Sequence, residues 1–231
     1  MNFEIIDNWF QVCVMLASAA ASYISVLKYA RRSPERGRLF LTLAFGYTSF
    51  MLGTLFFVLH IVILSYNAKI FYVSEISWTA AYMFFLSFAI MREKGRERES
   101  RTPLAWIPVI IAIFPTAMIV YMYGASVVGG IFTCALAAIA FMAVRGIHRA
   151  YVMGTGMRID ITLLAATALQ ALVYIVSSFT HEYTRFNLYF AVDITLTFTL
   201  ASLVPALRME SAGCGGSGAG CAAADERSEE Q

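Results

Sequence analysis

Charge is scarce in this chain. Asp, Glu, Lys and Arg make up 14% of its 231 residues, against about 25% in an ordinary water-soluble domain. That shortage, with 59% hydrophobic residues, excludes a water-soluble single domain. A net charge of +2 is too small to attract nucleic acid, and no nucleic-acid partner is expected. Lysine is rarer still: Lys28, Lys69 and Lys94 are the whole set. None lies in the last apolar run, which excludes a retinal Schiff base there. Phosphate-binding glycine loops, HExxH and nucleophile–base motifs are missing as well. No enzyme activity and no cofactor are expected. Of four cysteines, Cys13 and Cys134 fall in apolar runs and Cys214 and Cys221 in the tail, so no secreted disulfide framework is implied. Nor do the tail pair, without a nearby His or further Cys, make a metal site. The leader MNFEIIDNW is acidic and lacks the basic segment of a secretory signal. The first helix is therefore read as retained.

What is present is a series of apolar runs of about 20 residues, the length that crosses a bilayer as helix. The runs predict an all-α, polytopic membrane protein with seven transmembrane helices at 8–30, 39–64, 71–92, 103–123, 125–147, 159–180 and 185–207. Residues 1–210 form this seven-helix domain, and 211–231, small, polar and finally acidic, read as a disordered cytoplasmic tail. The connecting charges are lopsided. Lys28, Arg31, Arg32, Arg36 and Arg38 flank the first connection. Arg92, Lys94, Arg96, Arg98 and Arg101 fill the third, and Arg145, Arg149 and Arg158 flank the fifth. Arg208 and Arg227 follow the last run. Of 17 Lys and Arg, only Lys69 and Arg185 lie in the alternate connections. Cations concentrate on the cytoplasmic side, so the N-terminus is expected outside and the C-terminus inside, in a bacterial inner membrane.

Small residues at Ala17, Ala21 and Ser25, and at Gly129, Thr133 and Ala137, lie at the spacing that lets helices pack closely in lipid. Pro108, Pro115 and Pro205 predict bends. The two halves also overlay: Cys13 on Cys134, Lys28 on Arg149, His60 on His181, and, after shortening one loop, Glu75 on Asp193. That overlay reads as a 3+1+3 parallel repeat with the fourth span as connector.

The candidate site is organised around His60 to Tyr82. Glu75 lies roughly 6–7 Å and Asp193 roughly 13 Å inside the outer boundary, at 1.5 Å per residue. Ionisable groups inside a membrane are functional candidates. The candidate ligand-binding residues are Glu75, Trp78, Tyr82, Gln170, Tyr174, Tyr189 and Asp193. The aromatic faces suit a cationic small molecule, and the carboxylates suit a cation, a hydrogen-bonding ligand or a transported proton. Asp193 is deep enough to need a buried partner, for which Gln170 or a tyrosine is expected. His60 and His181, with the two carboxylates, form a second, metal-binding reading. Opposed to both stands a structural reading, in which the polar groups join helices.

The stretch SEISWTAAYMFFLSFAIMREK, with FGYTSFMLGTLFFVLH before it, resembles the multi-pass sensor regions that precede histidine-kinase and diguanylate-cyclase domains in bacteria. The resemblance lies in an acidic residue, an aromatic and a Tyr followed by bulky apolar residues after a short outer turn, here Glu75, Trp78 and Tyr82. It implies a receptor-like or regulatory module with an outward-facing pocket. Its partners would be the bilayer, a small ligand, and a cytoplasmic or membrane signalling protein, since no output domain follows the last span. A small-solute or proton-coupled transporter and a structural subunit are the alternatives.

Overall fold

The computed structural model describes residues 3–31, 33–64, 72–93, 103–111, 127–153 and 157–216. All regular structure among them is helical. In lipid no water meets the backbone, and a helix satisfies every N–H and C=O within its own segment. The helices are α1 (Phe3–Tyr29), α2 (Pro34–Leu64), α3 (Tyr72–Glu93), α4 (residues 106–111, after a 3-10 turn Pro103–Ala105), α5 (Val127–Met153), α6 (Arg158–Phe179), α7 (Leu188–Ala201) and α8 (Leu203–Gly216). Six stretches are long and apolar enough to span a bilayer: Phe3–Tyr29, Pro34–Ile63, Val73–Glu93, Val127–Val152, Arg158–Phe179 and Leu188–Ser211. The chain is a multi-pass membrane protein. Of the span expected at 103–123, residues 112–123 lie outside the described residues.

Local chemistry sets the helix ends. Ser33 precedes Pro34, and its carbonyl takes the Gly37 N–H at 3.0 Å, so α2 opens with proline where the missing donor costs nothing. The side chain of Asn187 accepts from the Phe190 N–H and caps α7. α1 begins at Phe3, earlier than the span expected from residue 8, so Glu4 and Asp7 belong to the helix. α8 remains helical to Gly216, so residues 211–216, expected in a disordered tail, are helix. Residues 217–231 lie outside the described residues.

The helices close into a ring. α1 packs on α2, α2 on α3, α3 on α5, α5 on α6, α6 on α7, and α7 returns to α1. The 3-10 turn lies against α5, where Trp106 meets Phe141 edge-on at 5.3 Å. The last residues of α3, Arg92 and Glu93, adjoin Asp160 at the start of α6 and Arg149 near the end of α5. Nearer their starts, Tyr82 of α3 meets Phe132 of α5 at 4.9 Å. α3 and α5 therefore run parallel. So do α1 and the pair α7–α8, because Gln11 reaches Asp193 and Ser25 reaches Arg208. The bundle thus has an end rich in arginine and an opposite end that holds the starts of α1, α3 and α7.

Tyr47, Tyr82, Phe40, Phe85, Phe88 and Phe190 are the largest fully buried side chains, and all but Phe190 belong to the central core. Of the expected Ala17–Ala21–Ser25 stripe, Ser25 is buried and Ala21 packs on the core, but the inward face is rotated away from Ala17. Ala17 is exposed, and the buried set runs Asp7, Gln11, Met15, Ser18, Ser22 and Ser25. Each of the three serines donates to the carbonyl four residues before it, which removes the cost of burying the hydroxyl.

Candidate functional site

The half of the ring opposite the arginine-rich end holds a hydrogen-bonded network across four helices. Gln11 of α1 is its hub. The Gln11 amide nitrogen donates to Asp193 Oδ2 and to Thr197 Oγ1 of α7, each at 3.3 Å. Its oxygen accepts from the Thr54 hydroxyl of α2 at 2.8 Å. Thr54 in turn accepts from the Trp78 indole N–H of α3 at 3.2 Å. The buried Asp7, one turn before Gln11 on α1, has its carboxyl beside that of Asp193. Trp78 reaches this network because α2 has a glycine where they meet. A Cβ at Gly53 would stand 2.9 Å from Trp78 Cδ1, closer than two carbons approach.

An aromatic layer covers the network. The Phe3 and Glu4 amides donate to the carbonyls of Thr184 and Tyr183, both at 3.3 Å, so the α1 start is docked on the α6–α7 connection. Phe3 packs edge-on against Phe186 and Phe190, and Tyr183 and Tyr189 pack on Phe190 and on each other. Below the network, the Tyr82 hydroxyl donates to Gln170 Oε1 of α6 at 2.5 Å, a buried bond across the ring. Phe132 lies between Tyr82 and Tyr174.

The expected site residues are thus divided. Asp193 and Trp78 share one network, Tyr82 and Gln170 share a second, Tyr174 joins the second through Phe132, and Tyr189 belongs to the cover. Glu75 lies in the first turn of α3, partly exposed, and is absent from the groups that bond Asp193. The buried partner of Asp193 is Gln11 with Asp7, not Gln170 or a tyrosine, because the ring sets α7 beside α1. His60 stacks on Phe56 and His181 is exposed in the α6–α7 connection. Among the described residues, no three His, Cys, Asp or Glu side chains come together as metal ligands. The residues that sequence reasoning missed are Asp7, Gln11 and Thr54. Asp7 and Gln11 are one turn apart, and continuing that spacing to Met15, Ser18, Ser22 and Ser25 gives a polar stripe in an apolar helix, which was the available signal.

The arginine-rich end holds a second charged cluster. Arg92 Nη1 meets Asp160 Oδ1 at 2.6 Å and its Nη2 meets Glu210 Oε2 of α8 at 3.3 Å. Glu93 pairs with Arg149 at 2.8 Å and Arg145 at 3.8 Å. The cations that mark the connections as one-sided are therefore partly consumed in joining helices. Gly146 backs the cluster: a Cβ there would lie 2.5 Å from Asp160 Cγ and Oδ1. Gly146→Ala should displace the carboxylate from Arg92 and destabilise the protein by about 1–3 kcal/mol, as overpacking does. Thermal unfolding in detergent measures this, and a midpoint equal to the parent's would mean that α5 and α6 separate freely.

No family model matches the chain, and neither the curated proteins nor the solved structures give a match.

Proposed function

We propose that the protein is a sensor module of a bacterial inner membrane, whose outer-half network answers a ligand and whose arginine-rich end presents the answer to a cytoplasmic partner. The observation that carries this is the placement of residues on α3. One rigid helix holds Trp78 in the outer network, Tyr82 in the cross-ring bond, and Arg92 and Glu93 in the charged cluster. A cationic or hydrogen-bonding ligand that competes for Gln11, Asp193 or Trp78 changes what holds α3, and so favours one packing over another. The topology in this proposal is seven spans with the N-terminus outside. Its support is the parallel course of α3 and α5: a chain leaving one end of the bundle and re-entering at the other has a crossing to make between them. The basic end is then cytoplasmic.

A carrier is the second reading, and the ring order favours it. Laying α1, α2 and α3 on α5, α6 and α7 carries α1–α2 onto α5–α6, α2–α3 onto α6–α7, and α3–α5 onto α7–α1, all of which are packed pairs. That is the arrangement expected of a parallel repeat about an axis along the membrane normal. Thiol labelling separates the two readings. Ile194→Cys, beside Asp193 and partly exposed, in a background with Cys13, Cys134, Cys214 and Cys221 replaced by Ser, should react with a membrane-impermeant maleimide from outside only. Reaction from both faces would mean a carrier, and reaction from neither would mean that the network only joins helices.

A further inference from the structure

The last span is not one helix. α7 has 14 residues and rises about 21 Å, short of the roughly 30 Å hydrocarbon layer. A turn at Ser202 separates it from α8. Pro205 brings no N–H for the Ala201 carbonyl and its ring crowds that carbonyl. Side-chain hydroxyls donate to two carbonyls in the turn just before that one. The Ser202 hydroxyl donates to Thr199 O at 2.7 Å. The Tyr47 hydroxyl, from α2 across the ring, donates to Leu200 O at 2.6 Å. Tyr47 is wholly buried, so its hydroxyl gains nothing from water and this bond is its place in the fold.

The break has different attachments on its two sides. α7 carries Asp193 and Thr197 of the outer network. α8 is held by Arg208 to Ser25 Oγ and Ala21 O, by Arg36 to Ser211 O, and by Glu210 to Arg92. Between them, Tyr47 stands against Phe85 of α3 at 5.6 Å, and Phe85 stands against Tyr82 at 5.7 Å. Side chains from α2 and α3 thus converge on the joint itself.

The geometry points to a hinge at Ala201–Ser202, with the Tyr47 hydroxyl as its latch, through which the outer network sets the angle of α8. This rests on the sensor reading for its purpose and adds the moving part to it. Backbone bonds run from the Ser202 N–H to Phe198 O at 3.0 Å and from the Ala206 N–H to Ser202 O at 3.1 Å. The joint is therefore a local one, at the Ala201 carbonyl that Pro205 leaves without a backbone donor, and a proline is where a helix axis bends. Tyr47 is the contact that joins that angle to α3.

The test is a distance measurement on the full chain in nanodiscs, with the native cysteines replaced by Ala. Spin labels go at Leu188 and Met209, both exposed, one on each half. The parent should give one narrow distance. Tyr47→Phe keeps the ring and loses the donor, and should widen the distribution by about twofold or split it. Pro205→Ala restores the backbone donor and should move the distance towards the roughly 31 Å of a straight 21-residue helix. Asp193→Asn should shift the parent distance, since the outer network holds α7. A Tyr47→Phe distribution equal to the parent's would overturn the latch. If that variant does not accumulate, Pro205→Ala decides: an unchanged distance would mean a bend fixed by packing. Failure of the sensor reading is a separate outcome, since a carrier labelled from both faces still shows the Tyr47→Phe widening if the hinge is present.

Discussion

Arg92→Met should lower the stability of the folded protein by about 3–5 kcal/mol, the cost of removing one partner of a buried ion pair. The side chains of Arg92 and Asp160 are only 8% and 9% exposed. Methionine fills much of the same volume, so the loss is electrostatic. Asp160 is then left with a carboxylate that water hardly reaches and with Gly146 rather than a donor against it. The double variant Arg92→Met, Asp160→Asn should recover most of the loss, because it removes the stranded charge. Denaturant titration in mixed micelles gives both numbers. Glu182–Arg185 is the internal control. Those side chains are 64% and 87% exposed and stand 3.8 Å apart, and exposed pairs contribute about 0–1 kcal/mol. Arg185→Met should therefore leave the titration unmoved. Equal effects at Arg92 and Arg185 would contradict the view that the cluster at the arginine-rich end holds α3, α6 and α8 together.

The second large effect is expected at Gln11. Gln11→Leu keeps the size of the side chain and removes both the donor to α7 and the acceptor from α2. Thr54 is buried almost completely, and its hydroxyl loses the acceptor it has in Gln11, whereas Thr197 keeps its own bond to the Asp193 carbonyl at 3.0 Å. Each stranded polar group costs about 1–3 kcal/mol, although side-chain bonds between membrane helices average nearer 0.6 kcal/mol. A total of about 1–3 kcal/mol is expected, smaller than at Arg92 because hydrogen bonds rather than a buried ion pair are broken. The network also supplies an optical readout. With Trp9 and Trp106 replaced by Phe, emission comes from Trp78 alone, whose indole N–H donates to Thr54. Gln11→Leu frees Thr54 to turn, and the emission should shift. Unchanged stability together with unchanged emission would dissolve the four-helix network into separate contacts.

The membrane class was legible in the sequence because hydropathy and run length carry it directly. The alternation of arginine-rich connections was legible too, and the described helices put Lys28, Arg36, Arg92, Arg158 and Arg208 at one end of the bundle. The interior face of α1 was not. Ala17 and Ala21 pack as readily as Ser18 and Ser22 on hydropathy grounds, and a shift of one residue turns the helix by about 100°. Only the partners decide, and they are α2 and the last span. For the same reason Asp193 was matched to depth neighbours such as Gln170, when its contact lies at the far end of the chain. Asp7 was read as part of an acidic leader because an apolar-run criterion trims charged residues from helix ends. Glu75 was given weight for its depth, but one turn from the start of α3 is still close to the interface, where a carboxylate needs no protein partner.

The closure of the ring between α1 and α7 has a consequence for biosynthesis. The serines of α1 find their acceptors within their own helix and the Gln11 oxygen finds Thr54 of α2, but the acceptors of the Gln11 amide lie on a segment translated some 180 residues later, a separation of 182 between Gln11 and Asp193. Through most of synthesis the first helix therefore has α2 but lacks its second neighbour in the ring, and contacts so distant in sequence are the last to form. The half-made bundle must be held by the insertion machinery or by its own α1–α2 hairpin until the final helix emerges. Chains stalled before α7 should be the ones that membrane quality control removes.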